Sequence, residues 1–355
     1  MNRFLKKNNG KIVFVLLFLV SGVIFFQHNS NFSTEVYGQD KRNVNIGYFP
    51  NINHAQAVIG FGDGSFQKNL GENVNVKTYV FNAGPSALEA LFAKQVDMAY
   101  VGPSPAINGY VVSKGEGLKI VAGAASGGVV FVVRNDSNIN GIADFDGKKF
   151  SSPQLGNTQD VSLKTYLLNN GYKTKDKGGT VVVLPLKNAD IFILMQKGNL
   201  DGAWVAEPWG EKLISETKSK LFLDERDLWP GGKFTSALII VRSDFLQNNQ
   251  DIVKKVLETH VNLTNWINQN KEQAYIKFND ALHKLTGQTL PENQLIKSFE
   301  RLELTYLPLQ ETLYRMAEDA FNLGFFKTKP DLSQIFDLTI LDQVLEENQL
   351  SNTVT

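Results

Sequence analysis

The sequence predicts an α/β fold of two lobes, followed by a helical C-terminal region. Short strand-like segments alternate with helical segments from Val44 onward, which is typical of βαβ units with a mainly parallel sheet. A similar order of elements occurs twice, and after residue 242 the pattern is helical to the end. With 355 residues, of which 43% are hydrophobic, the chain is long enough to bury a core in each of two lobes.

The first 28 residues are typical of a signal peptide or an N-terminal membrane anchor. An apolar run from Ile12 to Phe26 follows a basic segment, which is the layout of a secretory signal. As a helix, these 15 residues would span roughly 22 Å, which is short of a ~30 Å hydrocarbon core. Val36-Tyr37-Gly38 is a weak cleavage site, so a cleaved leader and an uncleaved anchor both stay open. The basic segment predicts that the rest of the chain lies outside the cytoplasm, and the polar residues 29–43 are expected to form a tether.

Strand-like segments in the remaining chain define the two lobes. The first part of lobe 1 is expected over 44–132, lobe 2 over 133–234, and a return to lobe 1 with C-terminal helices over 235–350. Strands are predicted at 44–49, 76–81, 97–102, 118–124, 127–134, 149–153, 181–186, 202–207 and 234–242. Helices are predicted between them, at about 55–69, 86–95, 159–169 and 189–197.

Two segments of the chain share an internal repeat. Residues 91–103 and 195–208 both run from a helix end through a polar link to an Asp, a strand with an aromatic residue, and a Pro. Asp97 corresponds to Asp201 in this alignment. Two lobes built from one unit would produce this pattern, and so would chance in an α/β chain.

Composition and motifs exclude several classes of function. Lys plus Arg and Asp plus Glu both number 36, and a net charge of zero argues against nucleic-acid binding. The absence of Cys excludes disulfides, thiolate zinc sites and Cys nucleophiles, and four His disfavour a His-rich metal site. No Ser/His/Asp order, HExxH or GxxxxGK[ST] motif occurs. We therefore expect that the protein is not an enzyme and that it binds neither a cofactor nor a metal.

Six loops are expected to line a cleft between the lobes. Ligands of open α/β sheets bind beyond the carboxyl ends of the strands, over helix N-termini. The loops in that position are Pro50–His54, Asn82–Ser86, Gly102–Pro105, Ala125–Gly127, Pro153–Gln159 and Ala206–Trp209. The helix starts among them contain no Lys or Arg, so an anion in the cleft would be bound by neutral donors.

Two helix starts carry polar side chains at equivalent places in the lobes. Ser86 and Glu89 have the spacing of a capping box, and Asn157 or Thr158 is a predicted N-cap. These residues either cap their helices only, or present N–H and hydroxyl donors to an anion. Gly84 would allow close approach of the backbone.

A cluster of aromatic and acidic residues follows the strand at 202–207. Trp204, Glu207 and Trp209 are predicted to close the cleft or to hold a polar group of the ligand, whereas Trp204 faces the core in the alternative interpretation. His54 lies in the first strand-to-helix loop, where a lone His is more often structural than catalytic. His260 and His283 are interpreted as structural.

At these loops the sequence resembles the substrate-binding proteins of ABC importers in the nitrate/sulfonate/taurine group, and most closely the aliphatic-sulfonate-binding proteins. The matching stretches include 46–60, 81–110, 151–167 and 198–213. The resemblance implies a two-lobed, type II periplasmic-binding-protein fold that captures a small organic anion outside the cytoplasm. It also implies delivery to an ABC permease and ATPase. The ligand-binding residues that it implies are Asn53, His54, Asn82, Gly84, Ser86, Gly102, Ser104, Ser126, Asn157, Thr158, Trp204 and Glu207.

The sequence departs from this family pattern in two ways, and alternatives stay open. There is no lipoprotein Cys, so attachment to a membrane would depend on the N-terminal segment. The stretch FPNINH at 49–54 also resembles thiamine-pyrimidine-binding proteins and their enzymatic relatives, which leaves a pyrimidine-synthase-like enzyme using His54 as the alternative. The leader and the lack of Cys count against that enzyme. A sensor ectodomain is a third interpretation, and it would need a signalling partner.

Overall fold

The computed structural model describes residues 41–351, which form two β-sheets flanked by helices. The α/β class is therefore confirmed. The predicted signal peptide or anchor at 1–28 and the predicted tether up to residue 40 lie outside the described residues. The first strand already begins at Arg42, two residues before its predicted start at Val44 and within the predicted tether. Within residues 41–351, no helix is long and apolar enough to cross a membrane.

Eleven strands and thirteen α-helices make up the described chain. The strands are β1 (Arg42–Tyr48), β2 (Val74–Val80), β3 (Met98–Val101), β4 (Leu118–Gly127), β5 (Val129–Arg134), β6 (Lys149–Pro153), β7 (Val182–Leu186), β8 (Gly202–Ala206), β9 (Ser219–Asp224), β10 (Thr235–Arg242) and β11 (Leu302–Leu304). The helices are α1 (Ala55–Gly62), α2 (Ser65–Leu70), α3 (Gly84–Phe92), α4 (Pro103–Val112), α5 (Thr158–Asn169), α6 (Asn188–Gln196), α7 (Trp209–Glu216), α8 (Ser243–Asn248), α9 (Gln250–Gln269), α10 (Lys271–Thr286), α11 (Glu292–Glu300), α12 (Gln310–Asn322) and α13 (Thr339–Glu347).

Both sheets are mixed, whereas mainly parallel sheets were predicted. The first sheet has the order β11-β4-β10-β3-β1-β2, and the second has the order β7-β6-β8-β5-β9. β1 and β6 pair in parallel with their neighbours, whereas β10 and β5 run antiparallel to theirs. The difference arises because the chain enters β5 from the first sheet and β10 from the second. A strand reached by such a crossing is not constrained by a βαβ connection.

The internal repeat of the sequence corresponds to a structural repeat. The orders β2-β1-β3-β10-β4 and β7-β6-β8-β5-β9 are equivalent. Oδ2 of Asp97 accepts the backbone N–H of Asn45 at 2.8 Å, and Oδ2 of Asp201 accepts that of Lys149 at 2.8 Å. Each aspartate also forms an ion pair with an arginine at the end of the antiparallel strand, Arg242 and Arg134 respectively. The two aspartates therefore join equivalent strands in the two sheets.

Several element boundaries differ from the predictions. One helix was predicted at 55–69, but Gly64 with φ of +79° separates α1 from α2. β9 and β11 were not predicted. β9 is a half-buried edge strand, and β11 has only three residues, so both carry a weak pattern.

The C-terminal region contacts both sheets. β11 pairs with β4 of the first sheet, whereas α11 contacts α7, which follows a strand of the second. α12 contacts both α4 and α5. The core is continuous between the sheets, since one buried cluster includes Val101 and Leu238 of the first sheet with Phe131 of the second. The C-terminal region after β10 therefore contacts elements of both sheets.

Candidate functional site

A small polar cavity lies where strand ends of the two sheets meet. Its volume is about 20 Å³, which is room for about one water molecule. Residues at or after the ends of β1, β2, β3, β6, β7 and β8 all contribute to it, as expected for an α/β sheet. The lining residues are Phe49, Asn51, Asn53, His54, Asn82, Gly102, Pro153, Asn157, Gln159, Asn188, Ala206 and Ser236. None of these described residues is an Asp, Glu, Lys or Arg, so the polar lining consists mainly of neutral amides.

His54 is a neutral side chain at this cavity. Its Nδ1 accepts the backbone N–H of Phe49 at 3.1 Å, and the two rings stack with centroids 4.5 Å apart. Burial lowers the pKa of His54 to about 3. Because Nδ1 accepts a hydrogen bond, the single ring proton resides on Nε2. His54 is therefore a neutral donor near pH 7 and supplies no positive charge to a ligand.

Asn53 lines the cavity and also contacts the segment in which the chain passes from the first sheet to the second. Its Nδ2 donates to the carbonyl oxygen of Gly127 at 3.0 Å and to Oγ of Ser236 at 2.8 Å. Within residues 41–351, Oδ1 of Asn53 is buried and has no hydrogen-bond partner. The same holds for Oδ1 of Asn188, at the start of α6. Both asparagines line the cavity, and they follow strands of different sheets.

Side chains of the second lobe contact the helix starts of the first. Oδ1 of Asn157 accepts the N–H of Gly84 at 3.3 Å, and Oγ1 of Thr158 accepts the N–H of Ser104 at 3.3 Å. These oxygens are bound by the backbone donors that were predicted to bind an anion. Side-chain oxygens of the protein therefore accept these backbone N–H groups at both helix starts.

Two glycines permit this close contact. A Cβ atom on Gly102 would overlap Oγ1 of Thr158. A Cβ atom on Gly84 would overlap Pro105 and lie 3.2 Å from Oδ1 of Asn157. Any larger residue at either position would force the surrounding groups apart.

The predicted capping box at Ser86 is wrong. α3 begins at Gly84 with Ala83 as its N-cap residue, so Ser86 lies inside the first turn. Pro85, the second residue of the helix, has no backbone N–H that would lack a partner in the first turn. Oγ of Ser86 donates to Oε1 of Gln154 at 3.2 Å, which is another contact between the lobes.

Asn157 occupies the N-cap position of α5, as one of the two alternatives predicted. Its side chain does not cap that helix but bonds elsewhere. Nδ2 donates to Oε1 of Gln159 at 2.6 Å, while Oδ1 accepts from Gly84. The N-cap position of Asn157 was therefore predictable from the sequence, whereas its hydrogen bond to Gly84 depends on the opposite lobe.

Trp204 and Glu207 do not line the cavity, contrary to the expectation of ligand contact. Trp204 is fully buried, stacks on Phe131 with centroids 5.2 Å apart, and donates from Nε1 to Glu225 at 2.6 Å. It faces the core, as the alternative interpretation held. Oε1 of Glu207 contacts Nη1 of Arg301 at 2.6 Å, so the carboxylate is already paired. Of this strand end, only Ala206 reaches the cavity.

The other predicted residues lie in three places. The lining includes Asn53, His54, Asn82, Gly102 and Asn157. Gly84, Ser86, Ser104 and Thr158 are at the adjoining helix starts, as described above. Ser126 lies in a separate groove with Arg226 and Trp229, and its Oγ accepts the N–H of Phe234 at 3.1 Å. Ser126 thus has a structural partner away from the cavity.

Four lining residues outside the predicted ligand-binding set lie in loops that were predicted to line the cleft, namely Asn51, Pro153, Gln159 and Ala206, whereas Phe49, Asn188 and Ser236 were not predicted. A signal for Asn188 was present. Asn188 follows β7 as Asn82 follows β2, and these strands are equivalent in the repeat. Within residues 41–351, no group of His, Cys, Asp and Glu side chains is arranged to hold a metal ion.

Solved structures of binding proteins share this fold. The periplasmic aliphatic sulphonate binding protein SsuA from Escherichia coli superposes with a TM-score of 0.65 at 20% identity, covering 83% of this chain and 97% of that one. The periplasmic nitrate-binding protein NrtA from Synechocystis PCC 6803 gives a TM-score of 0.69 at 14% identity, covering 88% and 92%. At these identities the similarity shows the fold alone. The predicted periplasmic-binding-protein fold is confirmed.

Comparison of sequences identifies the family. The taurine-binding periplasmic protein of Escherichia coli (strain K12) is 26% identical over 212 residues, which are 60% of this chain and 62% of that protein. The match thus spans less than two thirds of that relative. The model of the NMT1-like family matches residues 38–277, well over half of the chain. The chain belongs to the NMT1-like family, and the resemblance to binding proteins of the nitrate/sulfonate/taurine group is confirmed.

Proposed function

We propose that this protein is the extracytoplasmic solute-binding component of an ABC importer and is not an enzyme. The observation that carries the proposal is the cavity to which strand ends of both sheets contribute. A ligand held there touches both lobes and can favour their contact. The lining supports binding rather than catalysis, because His54 has a pKa of about 3 and its Nδ1 is bonded to the backbone. A pyrimidine-synthase-like reaction that needs His54 as a base near neutral pH is disfavoured for the same reason.

The proposed ligand is a small organic anion of the aliphatic-sulfonate type. Sulfonate oxygens are acceptors, as are the oxygens of Asn157 and Thr158 that now accept the N–H groups of Gly84 and Ser104. Hydrogen bonds to a charged acceptor contribute roughly 1.5–3 kcal/mol each, so the exchange favours the ligand. A cavity of about 20 Å³ is too small for a sulfonate. The lobes must therefore separate to admit it.

The proposed ligand-binding set keeps the predicted residues at or beside the cavity, which are Asn53, His54, Asn82, Gly84, Ser86, Gly102, Ser104, Asn157 and Thr158. The predicted lobes, 44–132 with 235–350 and 133–234, are the units proposed to move. We further propose that the N-terminal segment holds the protein near the membrane and that permease and ATPase subunits are its partners. The leader-like sequence and the named relatives support this proposal.

A ligand titration tests the proposal. Calorimetry with alkanesulfonates, 2-aminoethanesulfonate, nitrate, bicarbonate and a thiamine pyrimidine should show one-to-one binding of a sulfonate. Saturating sulfonate at a hundred times its Kd should raise the free energy of unfolding by about 2.7 kcal/mol. Asn82→Ala should weaken binding, whereas the control Asn75→Ala, on the exposed part of β2, should not. Binding of the pyrimidine alone would contradict the proposed ligand, and its chemical turnover would contradict the proposed function.

A further inference from the structure

A second and much larger cavity lies between α5 and the end of α12. Its volume is about 560 Å³, which is in the range of small-molecule binding sites. The lining comes from Leu155, from α5, from the turn at 172–177 and from residues 322–325, and we call this cavity the α5/α12 groove. Among the described residues, none lines both this groove and the polar cavity. A ligand of the groove is therefore independent of the proposed function.

Large apolar side chains line the α5/α12 groove and remain exposed. Leu155 is 62% exposed, Leu168 is 42% exposed and Phe325 is 37% exposed. Tyr172 adds its ring, and its Oη donates to the carbonyl oxygen of Ile142 at 2.8 Å, so the hydroxyl hydrogen is not available to a ligand. Exposed apolar residues that cluster in a concave surface are typical of a binding site. An apolar chain in the groove would remove part of this surface from water.

The charge of the groove is mainly positive. Lys173 and Lys177, in the turn after α5, are exposed and form no ion pair within residues 41–351. The described lining includes a single acidic residue, Asp176. Nζ of the third lysine, Lys164, is paired with Oδ2 of Asp160 at 2.8 Å, so its charge is largely compensated. The exposed lysines therefore favour a negatively charged group at this end of the groove.

We propose that the α5/α12 groove binds an amphipathic anion, namely an aliphatic chain that ends in a carboxylate. The chain lies along Leu155, Leu168 and Phe325, and the carboxylate contacts the ammonium groups of Lys173 and Lys177. A free small molecule fits better than a bilayer or a protein surface, because the groove is concave and has side chains of α5 and of residues 322–325 as its walls. The site thus combines apolar contact with charge complementarity.

Calorimetry on the full chain with alkyl carboxylates tests the apolar part of the proposal. The probes are hexanoate, octanoate and decanoate, each below its micelle concentration. Burial of one more methylene group is worth up to about four-fold in affinity, so decanoate should bind at least ten-fold more tightly than hexanoate. Equal affinity for the three carboxylates, or no saturable binding of decanoate, would overturn the proposal.

Probes of equal chain length test the charge. 1-Octanol and octylammonium should each bind about five-fold or more weakly than octanoate, because neither brings a negative charge to the lysines. Octylammonium binding as tightly as octanoate would overturn the proposal. Binding to vesicles of phosphatidylglycerol without binding of any free carboxylate would overturn it too, since it would indicate a membrane surface instead.

Substitutions of exposed residues locate the site without disturbing the core. Lys173→Ala combined with Lys177→Ala should weaken octanoate binding about five-fold, whereas Lys175→Ala, in the same turn but outside the lining, should leave it unchanged. Leu168→Ala should weaken decanoate binding about three-fold or more, whereas Ile193→Ala, which is 43% exposed on α6, should not. Carboxylate binding that survives both changes in the groove would overturn the assignment of the site.

Discussion

Glu225 is a buried carboxylate at the crossing from the second sheet to the first. It accepts hydrogen bonds from Nε1 of Trp204 at 2.6 Å and from Oγ of Ser162 at 2.9 Å. Burial is the main cause that raises the pKa of Glu225 to about 7, and the nearby Asp224 acts in the same direction. The folded protein therefore holds a proton that the unfolded chain releases at lower pH.

This protonation makes stability depend on pH. With a pKa of about 7 in the folded protein and 4.5 for the free side chain, the contribution is present below about pH 4.5 and is lost as pH rises through 7. Between pH 5 and 8, Glu225 should reduce the free energy of unfolding by on the order of 2–3 kcal/mol. Glu225→Gln should remove that part of the pH dependence, and the control Glu72→Gln at an exposed site should not. Urea unfolding at both pH values measures the free energy of unfolding of each protein. Identical pH dependence in wild type and Glu225→Gln would contradict the raised pKa of Glu225.

At the scale of elements, the turn at Arg301, between α11 and β11, contacts three parts of the fold. Nη1 of Arg301 contacts Glu207 at 2.6 Å and Glu211 at 2.8 Å, at the end of β8 and in α7. The carbonyl oxygen of Arg301 accepts the N–H of Gly128 at 2.7 Å, at the crossing between β4 and β5. Nη1 of Arg226, at the other crossing, donates to the carbonyl oxygen of residue 300 at 3.3 Å. One short segment thus contacts both crossings.

Removing the charge of Arg301 should therefore destabilise the protein strongly. Arg301→Gln leaves Glu207 and Glu211 buried without this partner, and breaking a buried pair typically costs about 3–5 kcal/mol. Arg42→Gln is the matched control, because Arg42 forms an exposed ion pair with Asp251, which is typically worth about 0–1 kcal/mol. Chemical denaturation of both variants measures the difference. Equal losses would show that the Arg301 contacts add little to stability.

For the whole molecule, the contact between the proposed lobes is the feature that we expect to control access to the cavity. Hydrogen bonds link Asn157 to Gly84, Thr158 to Ser104, and Ser86 to Gln154 across the cleft. The chain passes between the sheets at Gly127–Gly128 and again between β9 and β10. Rotation about these crossings would open the cavity without disturbing either sheet.

Small-angle scattering should therefore report on closure. We expect a smaller radius of gyration with saturating sulfonate than without it, because a ligand that touches both lobes favours their contact. Gly102→Val places a side chain against Thr158, so this variant should stay open and should not contract. Gly141→Val is the control, since a Cβ atom there meets no neighbour within 4 Å. An unchanged radius in wild type at saturating sulfonate would indicate a rigid site.

Local patterns were sufficient for most strands and for several helices of the described chain. The strand predicted at 149–153 coincides with β6, and the helix predicted at 159–169 differs from α5 by one residue. The loops expected at the site also include most of the cavity lining. These features follow from the spacing of apolar residues and from the position of strand ends, which are properties of short segments.

Partners far apart in the sequence were not predictable in the same way. Glu207 was expected at the ligand, but it pairs with Arg301, 94 residues later, once α11 contacts α7. Trp204 lies on a strand that is buried on both faces, so its stacking on Phe131 and its hydrogen bond to Glu225 follow only from the tertiary structure.

The sequence by itself determined the α/β class and the neutral character of the helix starts, and it indicated an internal repeat without deciding it. Only the tertiary structure decided that the sheets are mixed, that second-lobe oxygens bind the first-lobe N–H groups, and that Asn188 joins Asn53 at the cavity. The physical reason is the range, along the chain, of the interactions that determine each feature. Periodicity and capping depend on residues within one or two turns or strands, whereas a hydrogen bond across the cleft depends on how two separately formed sheets approach each other.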